Sequence, residues 1–166
     1  MHLSRPADDT SDERLTAEPR TAEQRIEDAA RGLLGGLGRL NRLLFRAGDY
    51  GLTRSEVSVL DTLEAAPLRV TEVAARTGMV QPRVTMLLKK LEDTGLVARH
   101  RCTDDRRAVE TSLTPAGRQL LERGRQRMAV ALRESLHTAI DDSERLVGDA
   151  RESVVKLANA MESEVS

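Results

Sequence analysis

The amino-acid sequence predicts a mainly α-helical protein with one small β-hairpin, and three observations lead there. Aromatic residues are 1% of the 166, Phe45 and Tyr50 alone, so the core must be aliphatic and favours helix on helix packing over a sandwich or barrel. Apolar residues recur at helical spacing in six separated stretches. Only after Gly95 does the period change to two, in a pair of short runs joined by a polar turn.

Met1 to Ala22 is polar, is interrupted by Pro6 and Pro19, and lacks periodicity, which predicts a flexible tail over 1–22 and one folded domain over 23–166. Ile26, Ala30, Leu33, Leu37, Leu40 and Leu44 form a heptad-like seam on a long helix over 23–48. Gly32, Gly35, Gly36 and Gly38 weaken that helix by about 1 kcal/mol each against alanine. They are either a locally weak helix or a place where a second backbone approaches. The Gly-rich run follows no strand and does not match G-x-G-x-x-G, so no nucleotide loop is read there.

Thr53-x-x-Glu56 is a capping box, with Leu52 and Val57 placed as its hydrophobic staple. It starts a helix running to about Ala65 on Val57, Leu60 and Leu63, which Pro67 stops. Val70 to Thr77 is a short helix with Val73, Ala74 and Thr77 inward, and Gly78 opens a tight turn. In the next helix Val84, Leu87, Leu88 and Leu91 face the core, and Pro82, Met86, Lys89 and Asp93 lie opposite. Thr85 and Lys90 flank the stripe, Pro82 suits the first turn, and Gly95 suits the C′ position, where φ is positive.

Leu96 to Arg101 and Ala108 to Leu113 then alternate as a hairpin around Asp104, Asp105, Arg106 and Arg107. Thr114 as N-cap and Pro115 as first residue begin a long helix with an apolar band through Leu120, Leu121, Gly124, Met128, Ala131, Leu132 and Leu136. Asp141-x-x-Glu144 is an acidic start signal for a last helix, whose seam is Val147, Ala150, Val154, Leu157 and Met161. Both terminal seams lack a core of their own to fill, which predicts a two-fold homodimer.

No run approaches the ~20 apolar residues of a membrane span and the N-terminus lacks a signal-peptide centre, so a cytoplasmic, membrane-free protein is expected. One cysteine precludes an internal disulfide framework. His2, His100 and His137 are scattered without a nucleophile-base pairing, so neither an enzyme, a metal site nor a cofactor is expected. His100 and Cys102 alone would not make a metal site. The net charge of −1 conceals an uneven distribution, because Leu68 to Val109 holds nine basic against five acidic residues. That local sign favours contact with phosphates.

A helix followed at once by a basic hairpin resembles a winged helix-turn-helix, and four motifs are similar to the MarR family of transcriptional regulators. They are Gln81-Pro82-x-Val84-Thr85, Leu91-Glu92-x-x-Gly95-Leu96-Val97, Asp105-Arg106-Arg107 and Leu113-Thr114-Pro115-x-Gly117, within a likeness running from about Leu52 to Gly124. The resemblance implies a winged-helix DNA-binding lobe over 52–113 and dimerisation helices over 23–48 and 114–164. It also implies a homodimeric repressor on a pseudo-palindromic operator in double-stranded DNA.

The DNA-binding candidates are Gln81, Pro82, Arg83, Thr85, Met86, Lys89 and Lys90 on the helix, for the major groove, and Arg106 and Arg107 on the wing. Arg107 would enter the minor groove while Asp105 braces the hairpin. Many relatives carry Arg at the place of Met86 and a small polar N-cap at the place of Val80, so relatives' target sequences do not transfer. The family usually binds aromatic or carboxylate effectors, for which Arg42, Arg46, Tyr50 and Asp61 are the candidates. The alternative function is a helical dimerisation adaptor that binds nucleic acid nonspecifically.

Overall fold

The structure, a computed structural model, describes residues 21–101, 109–137 and 141–165. The expectations for the first twenty residues and for the wing tip, including Cys102, Asp104, Asp105, Arg106 and Arg107, fall outside the described residues. The elements are α1 (Ala22–Gly48), α2 (Arg54–Thr62), β1 (Leu68–Arg69), α3 (Val70–Thr77), α4 (Gln81–Asp93), β2 (Val97–Arg101), β3 (Val109–Leu113), α5 (Pro115–His137) and α6 (Ser143–Val165). This is the mainly helical architecture with a small hairpin that the aliphatic composition implies.

Chain contacts divide into two units, Met1–Arg39 and Leu40–Ser166. The first holds most of α1, where Ile26, Leu33, Leu34 and Leu37 are exposed. A Cβ added at Gly32, Gly35 or Gly36 would meet nothing within 4 Å, so these glycines serve no close approach among the described residues.

The second unit holds the core. Val57, Val59, Leu60, Leu63, Leu68, Val73, Val84, Leu88, Leu91, Val97, Leu113 and Leu121 are nearly inaccessible and belong to one cluster. Thr53 caps α2 as its spacing implies: Glu56 N–H donates to the Thr53 hydroxyl at 3.3 Å and Thr53 N–H donates to Glu56 Oε2 at 2.7 Å. The helix stops at Thr62 rather than Ala65, with Leu63 as its C-cap.

The hairpin β2–β3 is antiparallel, pairing Val97 with Leu113, Arg99 with Thr111 and Arg101 with Val109. A third strand not visible as a sequence pattern joins it. Leu68 and Arg69 of β1 pair with Thr111 and Glu110, giving the order β1-β3-β2. Two residues are too few to show a period of two, so only the ladder reveals this strand.

Thr114 ties the wing base to both adjoining helices. Its hydroxyl accepts from Gly117 N–H at 3.1 Å and lies 2.8 Å from the Gly95 carbonyl oxygen, and its own N–H donates to the Leu96 carbonyl at 3.1 Å. Gly117 is required there because a Cβ would collide with the Leu96 carbonyl oxygen. At the far end α6 begins one residue later than the Asp141 signal, with Asp142 Oδ1 accepting from Arg145 N–H at 3.4 Å. Leu146, Val147, Val154, Val155, Leu157 and Met161 of α6 are all exposed.

Candidate nucleic-acid interface

Helix α3 ends at Gly78 with φ 68°, and α4 starts at Gln81 after Met79 and Val80, the extended backbone of Val80 making it the N-cap without a side-chain hydrogen bond. The α4 exit is a Schellman turn: Leu96 N–H donates to the Leu91 carbonyl at 2.9 Å and Gly95 N–H to that of Glu92 at 2.8 Å. Gly95 has φ 72°, a conformation open to glycine at no steric cost. A positive-φ residue at each end therefore sets the length and direction of α4 before any ligand is considered.

Val84, Leu87, Leu88 and Leu91 are buried, while Gln81, Pro82, Arg83, Thr85, Met86, Lys89 and Lys90 are exposed. Met86 is 64% exposed despite being apolar. The seven exposed residues are not equivalent. Arg83 Nη2 donates to Ser55 Oγ at 2.9 Å, and Lys90 Nζ lies 2.5 Å from Glu56 Oε1. Spacing i, i+7 puts Arg83 and Lys90 on one rail of α4, and that rail meets two consecutive residues in the first turn of α2. Lys89, opposite the buried stripe, has no ion-pair partner among the described residues.

Glu56 carries several roles that its motif did not disclose. Its side chain is 2% exposed, with Oε2 accepting from the Thr53 N–H and hydroxyl while Oε1 meets Lys90. Burial by itself pushes the carboxyl up, but the hydrogen bonds from Lys90 and Thr53 outweigh it and hold the group below the ordinary glutamate range. A carboxylate depressed in the folded state contributes stability that is present above its unfolded pKa and is lost as pH falls through the folded value. Glu56→Gln, which keeps the capping geometry, is expected to melt lower than the unmutated protein at neutral pH, by about 1–2 kcal/mol. Melts at descending pH should show the gap narrowing through the glutamate range; a gap independent of pH would mean that the ion pair contributes nothing.

Across the wing base, Arg99 Nε lies 3.3 Å from Glu92 Oε2, which braces β2 against α4. His100 is accounted for by Nε2 at 3.0 Å from Ser112 Oγ on the paired strand. Arg101 is exposed at the end of β2.

The four residues expected to hold an effector are not presented as one polar cluster. Arg42 and Arg46 are exposed on α1. Tyr50 is 7% exposed, its ring stacked on Phe45 at 5.6 Å between centroids and seated against Gly48 and Gly124. Asp61 accepts from Arg125 Nη2 at 3.0 Å, and Arg125 also binds Glu64 through both oxygens, at 2.7 and 2.6 Å. Burial raises the Asp61 carboxyl above the ordinary aspartate range despite Arg125, whereas the Arg125 hydrogen bonds lower Glu64. Burial and the Asp61 charge together raise the Tyr50 phenol. Arg125 was not singled out from sequence because its partners lie more than sixty positions away.

A groove lined by Ala129, Leu132, Arg133, Leu136, Ser143, Glu144 and Val147 lies between α5 and α6 and includes none of the four. No group of three metal-ligating side chains occurs among the described residues, and no described helix is long and apolar enough to cross a membrane.

Residues 50–108, from Tyr50 to the residue before β3, match the profile of the MarR family. The chain is 37% identical over 68 residues to the HTH-type transcriptional repressor MdtR of Bacillus subtilis (strain 168), a match covering 40% of this chain and 44% of that one. It therefore spans less than half the length of that curated relative. Among solved structures, the YusO protein from Bacillus subtilis is 26% identical with a TM-score of 0.60, covering 85% of this chain and 99% of that one. A MarR family protein from Bacillus stearothermophilus is 23% identical with a TM-score of 0.70, covering 86% and 99%. The capped helix pair and the first strand of the hairpin that follows it lie under the family profile, so residues 50–108 are similar to the MarR family.

Proposed function

We infer that the protein is a sequence-specific DNA-binding transcriptional regulator acting as a homodimeric repressor. The observation that carries this reading is the solvent-exposed face of α4, with Thr85, Met86 and Lys89 presented beside a hairpin whose strands carry Arg99 and Arg101. The relative MdtR bears the name of an HTH-type repressor, which supports the same sign of regulation. In this reading α4 enters the major groove, the lobe over 52–113 is the DNA-binding part, and 23–48 with 114–164 form the dimer. Arg106 and Arg107 of the wing contact DNA in this reading, Arg107 in the minor groove, with Asp105 as brace. The protein works in the cytoplasm, and a small aromatic or carboxylate effector weakens its grip on DNA.

Titrating DNA in rising salt tests the reading against a nonspecific adaptor. A regulator retains at least ~10³-fold preference for its selected site over random duplex, and the site is an inverted repeat with half-sites about 10 base pairs apart. Equal affinity for both duplexes would remove the regulator.

The ion pairing on α4 divides the lysines. Lys89→Gln should lower the salt slope by roughly 0.9 per lost phosphate contact, about 1.8 for the dimer. Lys90→Gln should leave the slope nearly unchanged and lower stability instead, because its ammonium is committed to Glu56. Equal slope changes for the two variants would show that the pair opens on DNA.

A further inference from the structure

We propose that the protein reads its half-site through thymine methyl groups, with Met86 as the side chain that contacts them. The proposal rests on the DNA-binding reading above and concerns which base chemistry α4 recognises. Guanine is ordinarily recognised by a long cation, Arg or Lys, donating to O6 and N7, and adenine by an amide. On α4 the one arginine, Arg83, is turned back onto Ser55, and Lys90 onto Glu56. Both α2 partners hold those cations along the side of the helix next to Met86.

What remains exposed is Gln81 in the first turn, Asp93 in the last, and between them Pro82, Thr85, Met86 and Lys89, of which three offer an aliphatic surface or a methyl. Met86 sits one turn from both Pro82 and Lys89, at the centre of this patch, and 64% of its surface is open. An unbranched thioether on a free surface is costly to leave in water and adapts its shape to an apolar partner. In the major groove the apolar group on a base edge is the 5-methyl of thymine. Lys89, one turn further along, supplies the charge that attracts the backbone, so the patch pairs one phosphate-seeking cation with an apolar reader.

The test uses the duplex recovered by selection from random sequences and the full-length dimer. Thymines in each half-site are replaced singly by deoxyuridine, which removes only the methyl, and guanines by 7-deazaguanine, which removes the N7 acceptor. Deoxyuridine at one or two positions per half-site should weaken binding about fourfold, the worth of one buried methyl-sized group. Met86→Ala should bind the thymine and uracil duplexes alike, and Met86→Leu should keep the preference. The 7-deazaguanine duplexes should bind within twofold of the parent.

Three results would overturn the assignment while leaving the regulator reading in place. These are specific binding that ignores every thymine methyl, a thymine preference undiminished in Met86→Ala, or a tenfold loss with 7-deazaguanine. Failure to recover any preferred sequence would instead remove the regulator reading, and the Met86 role with it.

Discussion

Gly124→Ala is expected to destabilise the fold by roughly 2 kcal/mol, lowering the melting temperature by about 4–8 °C for a chain of this size. A Cβ at this position would collide with Cε1 on one edge of the Tyr50 ring, whose opposite edge meets Gly48 and whose face stacks on Phe45. The residue is only 7% exposed, so the ring has little free space into which to yield. Overpacking of this kind costs about 1–3 kcal/mol or more, whereas alanine's better helix propensity returns at most about 1. Shrinking the ring should relieve the clash, so Gly124→Ala combined with Tyr50→Leu should be less destabilised than the two single changes added together. A melting temperature equal to or above that of the unmutated protein would show that α5 does not press on Tyr50 in solution.

The second large effect is expected at Leu157, which is 48% exposed on an α6 that buries none of its described side chains within the chain. A second copy covering this seam by two-fold symmetry would bury two Leu157 side chains, one from each copy, in one interface. Removing that half-exposed surface loses about 1 kcal/mol per copy by area, and placing a carboxylate in the apolar seam adds several more. Leu157→Asp should therefore weaken the dimer by at least about 4 kcal/mol, close to a thousandfold in Kd. Sedimentation at micromolar concentration should show a dimer for the unmutated protein, and for the variant a monomer with a lower melting temperature. A variant that sediments as a dimer would place the interface elsewhere. The exposed Leu33, Leu37 and Leu40 of α1 would then be the seam to alter next.

At several residues local sequence sufficed. The capping box at Thr53, the Schellman glycine at Gly95, the N-cap at Thr114 and the buried stripe Val84, Leu87, Leu88 and Leu91 all appear where their spacing implies. Each depends on groups no more than seven residues apart, or on one residue's freedom in φ, so the determinants lie within the stretch itself. Boundaries carried less information: α2 ends three residues early, and α6 is capped by Asp142 rather than Asp141. Neighbouring acidic residues are chemically equal candidates for such a cap until the backbone chooses.

By itself, then, the sequence determined the helix order, the hairpin, the inward stripe of α4 and the unfilled seams at both ends, because periodicity and capping are short-range. Only the tertiary structure decided which outward cations remain available. Lys89 and Lys90 are adjacent and identical in chemistry, yet Lys90 meets a carboxylate thirty-four positions earlier and Lys89 meets none among the described residues. Arg83 is likewise held by a serine twenty-eight positions away. The β1 strand, the Arg125 pairing with Asp61 and Glu64, and the need for glycine at position 124 under the Tyr50 ring have the same character. Each arises from groups distant in the chain that burial brings together, and a helical face announces that it is exposed without announcing which neighbour will bind its charges.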